Sequence, residues 1–447
     1  MSELIISVSG MRGIVGSQLT PEVVVRYLGA FAEFLPPGRL VVTRDGRSTG
    51  GMIADVAIAA LHAAGRDVLC PGIAATPTTG VLVRKKQCIG GVQITASHNP
   101  AEYNGLKLMD SDGRVISAAK GEHVLRNYEA HSCRWADHKH VGDVIDVQDA
   151  IDEHLQMVLA TVNVDRIREH QYSVLLDSNH GAGSILGKVL LERLGCRVRA
   201  LGDTPDGHFE HPAEPTAENL ATVLPEVVAG QADVGFCQDP DADRLAVIDE
   251  TGRYVGEEYT LALCVDHVLR ERPGPIVTNC STSRMSRDLA EQHDVPFRAS
   301  PVGEPNVTGV MIEEAAVFGG EGNGGPIDPR VGYVRDSFVG MASILDAMAA
   351  RDEPVSSLVD GLPHYAIHKT KIELDRNDIP SAFHALAAHF DDATHDRMDG
   401  LHLDWPDRWL LVRASNTEPI VRAIAEAPTE QDAADLCQQA AEIISDL

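Results

Sequence analysis

Residues 173–194, SVLLDSNHGAGSILGKVLLERL, open on a short apolar run, break at the polar loop DSNHGAGS, and resume with apolar residues at helical spacing. That order predicts a buried strand, a loop at its C-terminal end and then a helix. Residues 40–64 repeat the grammar around RDGRSTG, and residues 276–291 repeat it around NCSTSR. Further β-rich runs at 91–95, 233–236 and 245–248 read as buried strands. Strand–helix alternation predicts layered α/β domains with mixed or parallel sheets, and its recurrence at wide spacing predicts several similar domains in series. The C-terminal part differs. It carries a strand (HKTKIEL), a helix (IPSAFHALAAHF), a strand pair around RWLLVRAS and a closing helix (EQDAADLCQQAAEII), which predict a small α+β domain. Turn-rich joints divide the chain into residues 1–150, 151–252, 253–365 and 366–447.

The chain has 447 residues, with 38 Lys+Arg against 66 Asp+Glu and a formal charge of −28. Nucleic acids and anionic membranes reward a basic surface, so neither is an expected partner. A phosphorylated substrate has to be met by a local basic site inside an acidic protein. The opening MSELIISVSGMRG lacks a basic stretch followed by an apolar core, and no segment approaches the roughly 18 apolar residues of a membrane span. The eight cysteines are scattered without a CxxC pair. The expectation is a reduced, cytoplasmic protein.

Four loops bear chemistry, each with polar residues beside an apolar strand, where α/β sheets bind ligands. In Thr95-Ala96-Ser97-His98-Asn99-Pro100, Ser97 follows a strand directly and Asn-Pro turns the chain away, which exposes a hydroxyl among backbone N–H groups. Lys107 is placed to return to that site as a proton donor or acceptor if its pKa is lowered. In Asp239-Pro240-Asp241-Ala242-Asp243-Arg244, alternate carboxylates crowd one turn between apolar strands, a donor set suited to Mg²⁺. A calcium EF-hand fails there, because Arg244 takes the position that needs glycine and the next residues read as strand. Gly319–Gly325, GGEGNGG, contains GxGxxG, but Pro326 and Pro329 follow where a dinucleotide fold needs a helix. Its glycines admit a ligand to the backbone, while Glu321 and Asn323 suit sugar hydroxyls. Arg413-Ala414-Ser415-Asn416-Thr417-Glu418-Pro419, followed by Arg422, combines guanidinium forks with short donors, as an anion site does. Arg12, Arg44 and Arg47 add basic residues on early loops.

TASHNP, DPDADR, GGEGNGG and RASNTEP in that order resemble the α-D-phosphohexomutase family, which includes phosphoglucomutase, phosphomannomutase and phosphoglucosamine mutase. The resemblance spans Arg12 to Arg422. It implies an α/β architecture of four domains around a central cleft, three similar mixed α/β domains plus the small C-terminal α+β domain. It implies reversible transfer of a phosphoryl group between the 6- and 1-positions of hexose or hexosamine phosphates, through phosphorylated Ser97 and a sugar bisphosphate that also serves as activator. By position, Ser97, Asp239, Asp241 and Asp243 would hold Mg²⁺, Lys107 would be the general acid/base and His98 its polar neighbour. Arg12, Arg47 and Arg244 would line the transferring phosphate. Gly303 falls in the specificity loop Pro301–Glu304, where some members carry lysine at position 301. Glu321 and Asn323 would hold sugar hydroxyls; many members have serine at 323. Arg413, Ser415, Asn416, Thr417 and Arg422 would grip the phosphate that is not reacting. The form of GGEGNGG and of the MRGIVG opening is similar to glucosamine-phosphate mutases, with phosphoglucomutase/phosphomannomutase as the alternative. A monomer or homodimer is expected.

Three rival readings remain at this level. A Mg²⁺-dependent phosphatase would use the same serine and acids but release inorganic phosphate. A nucleotide-binding module would rest on Asp177, Gly181, Gly183 and Asp203. A non-catalytic sugar-phosphate binder would leave Ser97, Lys107 and the three aspartates without a task.

Overall fold

The computed structural model describes residues 4–7, 10–415 and 420–446. Three sheets share one plan. In the first, Val68–Ile73, Leu40–Arg44 and Gly90–Ile94 lie side by side in parallel, and Tyr103–Asp110 runs antiparallel beyond them. In the second, Arg197–Leu201, Ser173–Asp177 and Val234–Gln238 are parallel and Leu245–Asp249 is antiparallel. In the third, Phe297–Ser300, Ile276–Asn279 and Phe318–Glu321 are parallel and Gly325–Ile327 is antiparallel. Strands Leu40–Arg44, Ser173–Asp177 and Ile276–Asn279 lead into helices Gly50–Ala63, Gly183–Arg193 and Met285–Gln292. The three strand–loop–helix segments legible in the sequence therefore open three copies of one unit. The first sheet is extended by Gly10–Ile14, Ile5–Ser7 and Val144–Asp146.

This plan places a tight hairpin between the third and fourth strands of every unit. Those hairpins are the segments around Ser97, Asp239–Arg244 and Glu321–Gly325. Strands Gly90–Ile94, Val234–Gln238 and Leu245–Asp249 are buried along their whole length, the last although it is an edge strand of its sheet. Their polar chemistry is thus pushed to the ends.

The fourth sheet is antiparallel throughout, in the order Ala366–Glu373, Ile420–Ala427, Trp409–Ala414, Leu401–Asp404, Thr394–Asp396. Helices Ile379–His389 and Glu430–Ser445 cover one face, so Val421, Ala423 and Ala425 are buried while Arg422 between them is exposed.

The domains are not simply strung together. Helices Glu257–Glu271 and Ser337–Arg351 are apolar around most of their circumference because one hydrophobic cluster spans the second and third domains, including Leu176, Phe236, Leu261, Phe318 and Phe338. His154, fully buried, ties three parts of the chain: one ring nitrogen lies 2.9 Å from Thr78 Oγ1 and the other 2.8 Å from Asp336 Oδ2, the N-cap of helix Ser337–Arg351. The first two domains touch backbone to backbone, and a Cβ on Gly46 would run into the His180 carbonyl. Among the described residues no helix is long and apolar enough to cross a membrane, and no cysteine is paired.

The fourth domain joins the third through Glu426, whose Oε1 accepts from the Arg284 N–H at 2.9 Å and from Trp409 Nε1 at 2.7 Å. Burial pushes this carboxyl up to about 7.

Two outcomes are expected. Gly46→Ala costs about 1–3 kcal/mol through overpacking, whereas Gly51→Ala, in a helix with open space around it, is neutral or gains about 0.5–1 kcal/mol; thermal unfolding of both checks this. Above the ordinary glutamate value of 4.5 the unfolded chain loses its Glu426 proton while the folded chain keeps it to about pH 7. Glu426 therefore makes stability fall as pH rises from 4.5 to 7. Glu426→Gln, which retains an acceptor oxygen, should flatten that slope in melts taken between pH 4.5 and 8.

Candidate active site

The three hairpins meet. Backbone hydrogen bonds clamp the central turn from both sides: Thr76 N–H donates to the Asp241 carbonyl at 2.9 Å, Leu245 N–H to the Gly324 carbonyl at 2.8 Å, and Ser337 N–H to the Ala242 carbonyl at 3.3 Å. The turn needs a left-handed residue at Ala242, φ +54°. That twist brings one carboxylate oxygen from each of Asp239, Asp241 and Asp243 within 4.8 Å of the others, all three side chains fully buried.

Ser97 also sits in the left-handed region, φ +50°, with its N–H donating to Thr95 Oγ1 at 2.8 Å. Its Oγ donates to Asp239 Oδ2 at 2.9 Å. The sequence predicted an exposed hydroxyl; the structure buries it, because the aspartate turn of the second domain lies over it. His98 Nδ1 is 3.4 Å from Ser97 Oγ, and its Nε2 faces Glu214 Oε1 at 3.9 Å. Burial, then the charges of Arg244 and Arg12, pull this imidazole down to about 3, so it is neutral.

Lys107 Nζ donates to Asp241 Oδ2 and to Asp243 Oδ2, each at 2.8 Å. The expectation of a lowered pKa is corrected here. Burial and the charge of Arg335 act in that direction, but Asp241, Asp243 and Glu304 outweigh them and hold Lys107 above the ordinary lysine value as an ammonium. Burial pushes Asp241 the other way too, and Lys107 with Thr76 brings it below the carboxylate range. Asp239 lacks such a partner, so burial and then its two neighbours push its carboxyl well up.

Arg47 is the second correction. Its side chain is buried and its guanidinium is spent on the backbone: Nη1 donates to Pro100 O and Tyr103 O at 2.7 and 3.0 Å, and Nη2 to Ser97 O and Asn99 O, both at 2.6 Å. Nε pairs with Asp45 Oδ2 at 3.2 Å. Arg47 therefore shapes the serine loop rather than lining a phosphate. Arg12 and Arg244 do line a cavity of about 270 Å³, together with Lys107, Gly303, Glu321 and Asn323. Arg12 Nη1 donates to Asn99 Oδ1 at 3.3 Å, and Arg244 Nη1 to Glu214 Oε1 at 3.3 Å.

Two further residues, Arg335 and Glu304, line this cavity without a site role assigned to either from the sequence. Arg335 places Nη2 at 2.7 Å from Asp243 Oδ2, Nη1 at 3.0 Å from Glu321 Oε2 and Nε at 2.9 Å from Glu304 Oε2. Arg335 stands in VRDSF, a segment with no motif; only its position before the helix cap Asp336 marks it. Glu304 closes the segment Pro301–Glu304 and opens helix Glu304–Glu313. Glu321 arrives with both oxygens bonded, since Oε1 accepts from Asn279 Nδ2 at 2.8 Å and from Gly303 N–H at 3.1 Å.

The fourth-domain residues stand apart from that cavity. Arg413 Nη2 pairs with Asp399 Oδ2 at 3.2 Å, and the same oxygen accepts from Val302 N–H at 3.0 Å, linking this domain to the segment Pro301–Glu304. Arg422 is paired across the sheet with both Arg413 and Lys371, a basic row beside buried Ser415. Asn416 and Thr417 lie outside the described residues.

The acidic turn suits a cation. Oδ1 of Asp241 and Oδ1 of Asp243 are buried with no hydrogen-bond partner among the described residues. Hard carboxylate oxygens converging in this way fit Mg²⁺, with Ser97 Oγ beside them.

Comparison with known proteins agrees with this geometry. Models of the three phosphoglucomutase/phosphomannomutase alpha/beta/alpha domains match residues 4–134, 152–252 and 257–365, and the model of the C-terminal domain matches 371–443. The chain is 37% identical to a phosphoglucomutase/phosphomannomutase of Thermococcus kodakarensis, covering 95% of this chain and 94% of that one. It is 33% identical to a protein of Methanopyrus kandleri named "Probable phosphoglucosamine mutase", covering 98% and 96%. A crystal structure of a Burkholderia thailandensis phosphoglucomutase/phosphomannomutase family protein superposes with a TM-score of 0.85 at 24% identity, over 99% of this chain and 97% of that one. With its four domains matched in order along nearly the whole length, the chain belongs to the phosphoglucomutase/phosphomannomutase family.

Proposed function

We propose that this phosphohexomutase interconverts 6-phosphates and 1-phosphates of hexoses or hexosamines, with glucosamine 6-phosphate as the preferred substrate. The observation that carries the reading is Ser97 Oγ at 2.9 Å from Asp239, on a turn whose other carboxylates keep unpartnered buried oxygens. A hydroxyl beside a cation site, with arginines facing the same space, is the arrangement phosphoryl transfer needs. The 37% identical relative favours a second reading, glucose and mannose phosphates.

In the proposed cycle, phosphorylated Ser97 transfers its phosphoryl group to a hydroxyl of the sugar monophosphate. The P–O bond to Ser97 breaks as the bond to the sugar oxygen forms, and the hydroxyl proton ends on the leaving Ser97 oxygen. The resulting bisphosphate turns around, its other phosphoryl group returns to Ser97, and the isomeric monophosphate leaves. Asp239, Asp241 and Asp243 would hold Mg²⁺, which supplies charge neutralisation for the transferring group. Arg12 and Arg244 offset charge on the equatorial oxygens. In the second transfer the Lys107 ammonium gives a proton to the leaving sugar oxygen and recovers one from the Ser97 hydroxyl as that oxygen takes the phosphoryl group. Arg413 and Arg422 would bind the distal phosphate. Arg47 keeps the serine loop in shape.

The test is a coupled assay of glucosamine 6-phosphate, glucose 6-phosphate and mannose 6-phosphate with a trace of the matching bisphosphate. Equilibration of the 6- and 1-phosphates is expected; steady release of inorganic phosphate without isomer formation would instead indicate a phosphatase. Ser97→Ala should abolish turnover while leaving the melting temperature within a few degrees of the parent, and undiminished activity would defeat the assignment. Asp241→Asn should raise the Mg²⁺ concentration needed for half-maximal rate and lower kcat by tenfold or more. An unchanged Mg²⁺ titration would count against the turn as the cation site.

A further inference from the structure

We infer that Glu214 is a positioning residue for phosphoryl transfer, its carboxylate holding the Arg244 guanidinium and the His98 ring in place around Ser97. This deepens the proposed function and rests on its mutase reading.

Glu214 stands outside the four loops that bear chemistry, on the long connection between strand Arg197–Leu201 and helix Leu224–Ala229 of the second domain. Its Oε1 lies 3.3 Å from Arg244 Nη1 and 3.9 Å from His98 Nε2. The aspartate turn and Glu257 also place acids around Arg244. Among the described residues, however, Glu214 is the one acid paired with that guanidinium. Arg244 Nε is buried with no hydrogen-bond partner among them, so the fork is anchored at a single nitrogen. Arg12, the guanidinium beside it in the cavity, is anchored in the same way by Asn99 Oδ1 at 3.3 Å. A donor fixed before the reaction stabilises developing charge without having to reorganise, and a four-torsion arginine needs a partner to be fixed. His98 is served by the same carboxylate. A proton on Nε2, facing Glu214, leaves Nδ1 as the acceptor that looks at Ser97 Oγ from 3.4 Å.

The connection that carries Glu214 is fastened along its length. Asp177 Oδ2 is 2.7 Å from His211 Nε2, Asn179 Nδ2 donates to the His211 carbonyl at 3.0 Å, and Asn179 Oδ1 accepts from Glu210 N–H at 2.9 Å. Asn179 and His180 adopt left-handed φ values of +41° and +58° to make these contacts. Nearer to Glu214, Asn219 Nδ2 donates to the Glu214 carbonyl and the Tyr254 hydroxyl to the Pro215 carbonyl, each at 2.9 Å. The connection also reaches the first domain. The Arg47 guanidinium lies over the Phe209 ring, 5.1 Å from its centre, and a Cβ on Gly207 would run into the Arg47 backbone. Asp177, on which a nucleotide site would have rested, is thus engaged in steadying Glu214. The Glu214 side chain is itself 42% exposed, and among the described residues it pairs with Arg244 and His98 alone. Its removal therefore costs the fold little.

The experiment measures kcat and KM for the hexose or hexosamine 6-phosphate that the parent turns over fastest, with Mg²⁺ and the matching bisphosphate. The variants are Glu214→Ala, Glu214→Gln, Arg244→Ala and the double variant Glu214→Ala/Arg244→Ala. Glu214→Ala should lower kcat by about tenfold or more and move KM by less than about threefold. Its melting temperature should stay within about 2 °C of the parent. Glu214→Gln keeps an acceptor oxygen for Arg244 and should retain about a third or more of the parental kcat. When Arg244→Ala is already present, adding Glu214→Ala should cost less than about threefold, because the group it positions is gone. An unchanged kcat in Glu214→Ala, a loss confined to KM, or an equal loss in both backgrounds overturns the inference. So does a fall in melting temperature that accompanies the loss of rate, since Glu214 would then brace the fold. Should Arg244→Ala leave no measurable turnover, Glu214→Gln decides, and a loss as large as that of Glu214→Ala sinks the inference. A parent that isomerises sugar phosphates and is matched by Glu214→Ala leaves the mutase reading intact, whereas a parent that isomerises none of them sinks the mutase reading itself.

Discussion

Three aspartates buried on one turn repel one another, and the arrangement of the domains answers that repulsion. With oxygens within 4.8 Å of each other, each ionised pair opposes folding by roughly 4 kcal/mol at an effective dielectric constant near 20. The second domain, which carries the turn, supplies no cation that contacts Asp241. The first domain sends in Lys107 and Thr76, and the third sends in Arg335 to Asp243. Asp239, left without such a partner, receives the Ser97 hydroxyl. Docking of the three domains therefore assembles the site, and the proposed cation site lies on the aspartate turn at their meeting.

The unit that repeats makes this meeting possible. Each α/β domain ends its parallel run with an antiparallel strand, and the hairpin before that strand is a short, polar, glycine- or proline-bearing turn. Three copies facing inward deliver a serine, a carboxylate set and a glutamate–asparagine pair to one place from residues more than two hundred positions apart. The shared core of the second and third domains keeps two of those turns in fixed register. The fourth domain is attached differently, through Glu426, Asp399 and surface ion pairs such as Arg287 with Asp404. That attachment suits the proposed role of this domain in holding either end of a reoriented bisphosphate.

Arg47 and Lys107 show how location changes the work of a basic residue. Both are charged and both were natural candidates for a phosphate or a proton. Arg47 is enclosed by carbonyl oxygens of the loop it was expected to serve, so its donors are exhausted before any ligand arrives. Lys107 is enclosed by carboxylates, so its proton is held more firmly than in water. Arg335 shows the reverse: a residue in an unremarked segment that becomes the link between Glu321, Glu304 and the aspartate turn.

The sequence by itself determined the three strand–loop–helix openings, the α+β character of the last domain, and the four loops that bear chemistry. These are local: apolar runs, turn residues and crowded like charges act within a few positions of each other and leave their mark in order along the chain. It also carried enough of the Ser97, Asp239–Asp243 and Glu321 turns to place them at strand ends. Only the tertiary structure decided which charges neutralise which. Arg335 meets Asp243 across 92 positions and Glu304 across 31, Lys107 meets Asp241 across 134, and no periodicity or spacing records such partnerships. The burial of Ser97 and the exhaustion of Arg47 follow from domain docking. Electrostatics and desolvation depend on neighbours in space, and those neighbours exist only once the domains have closed on one another.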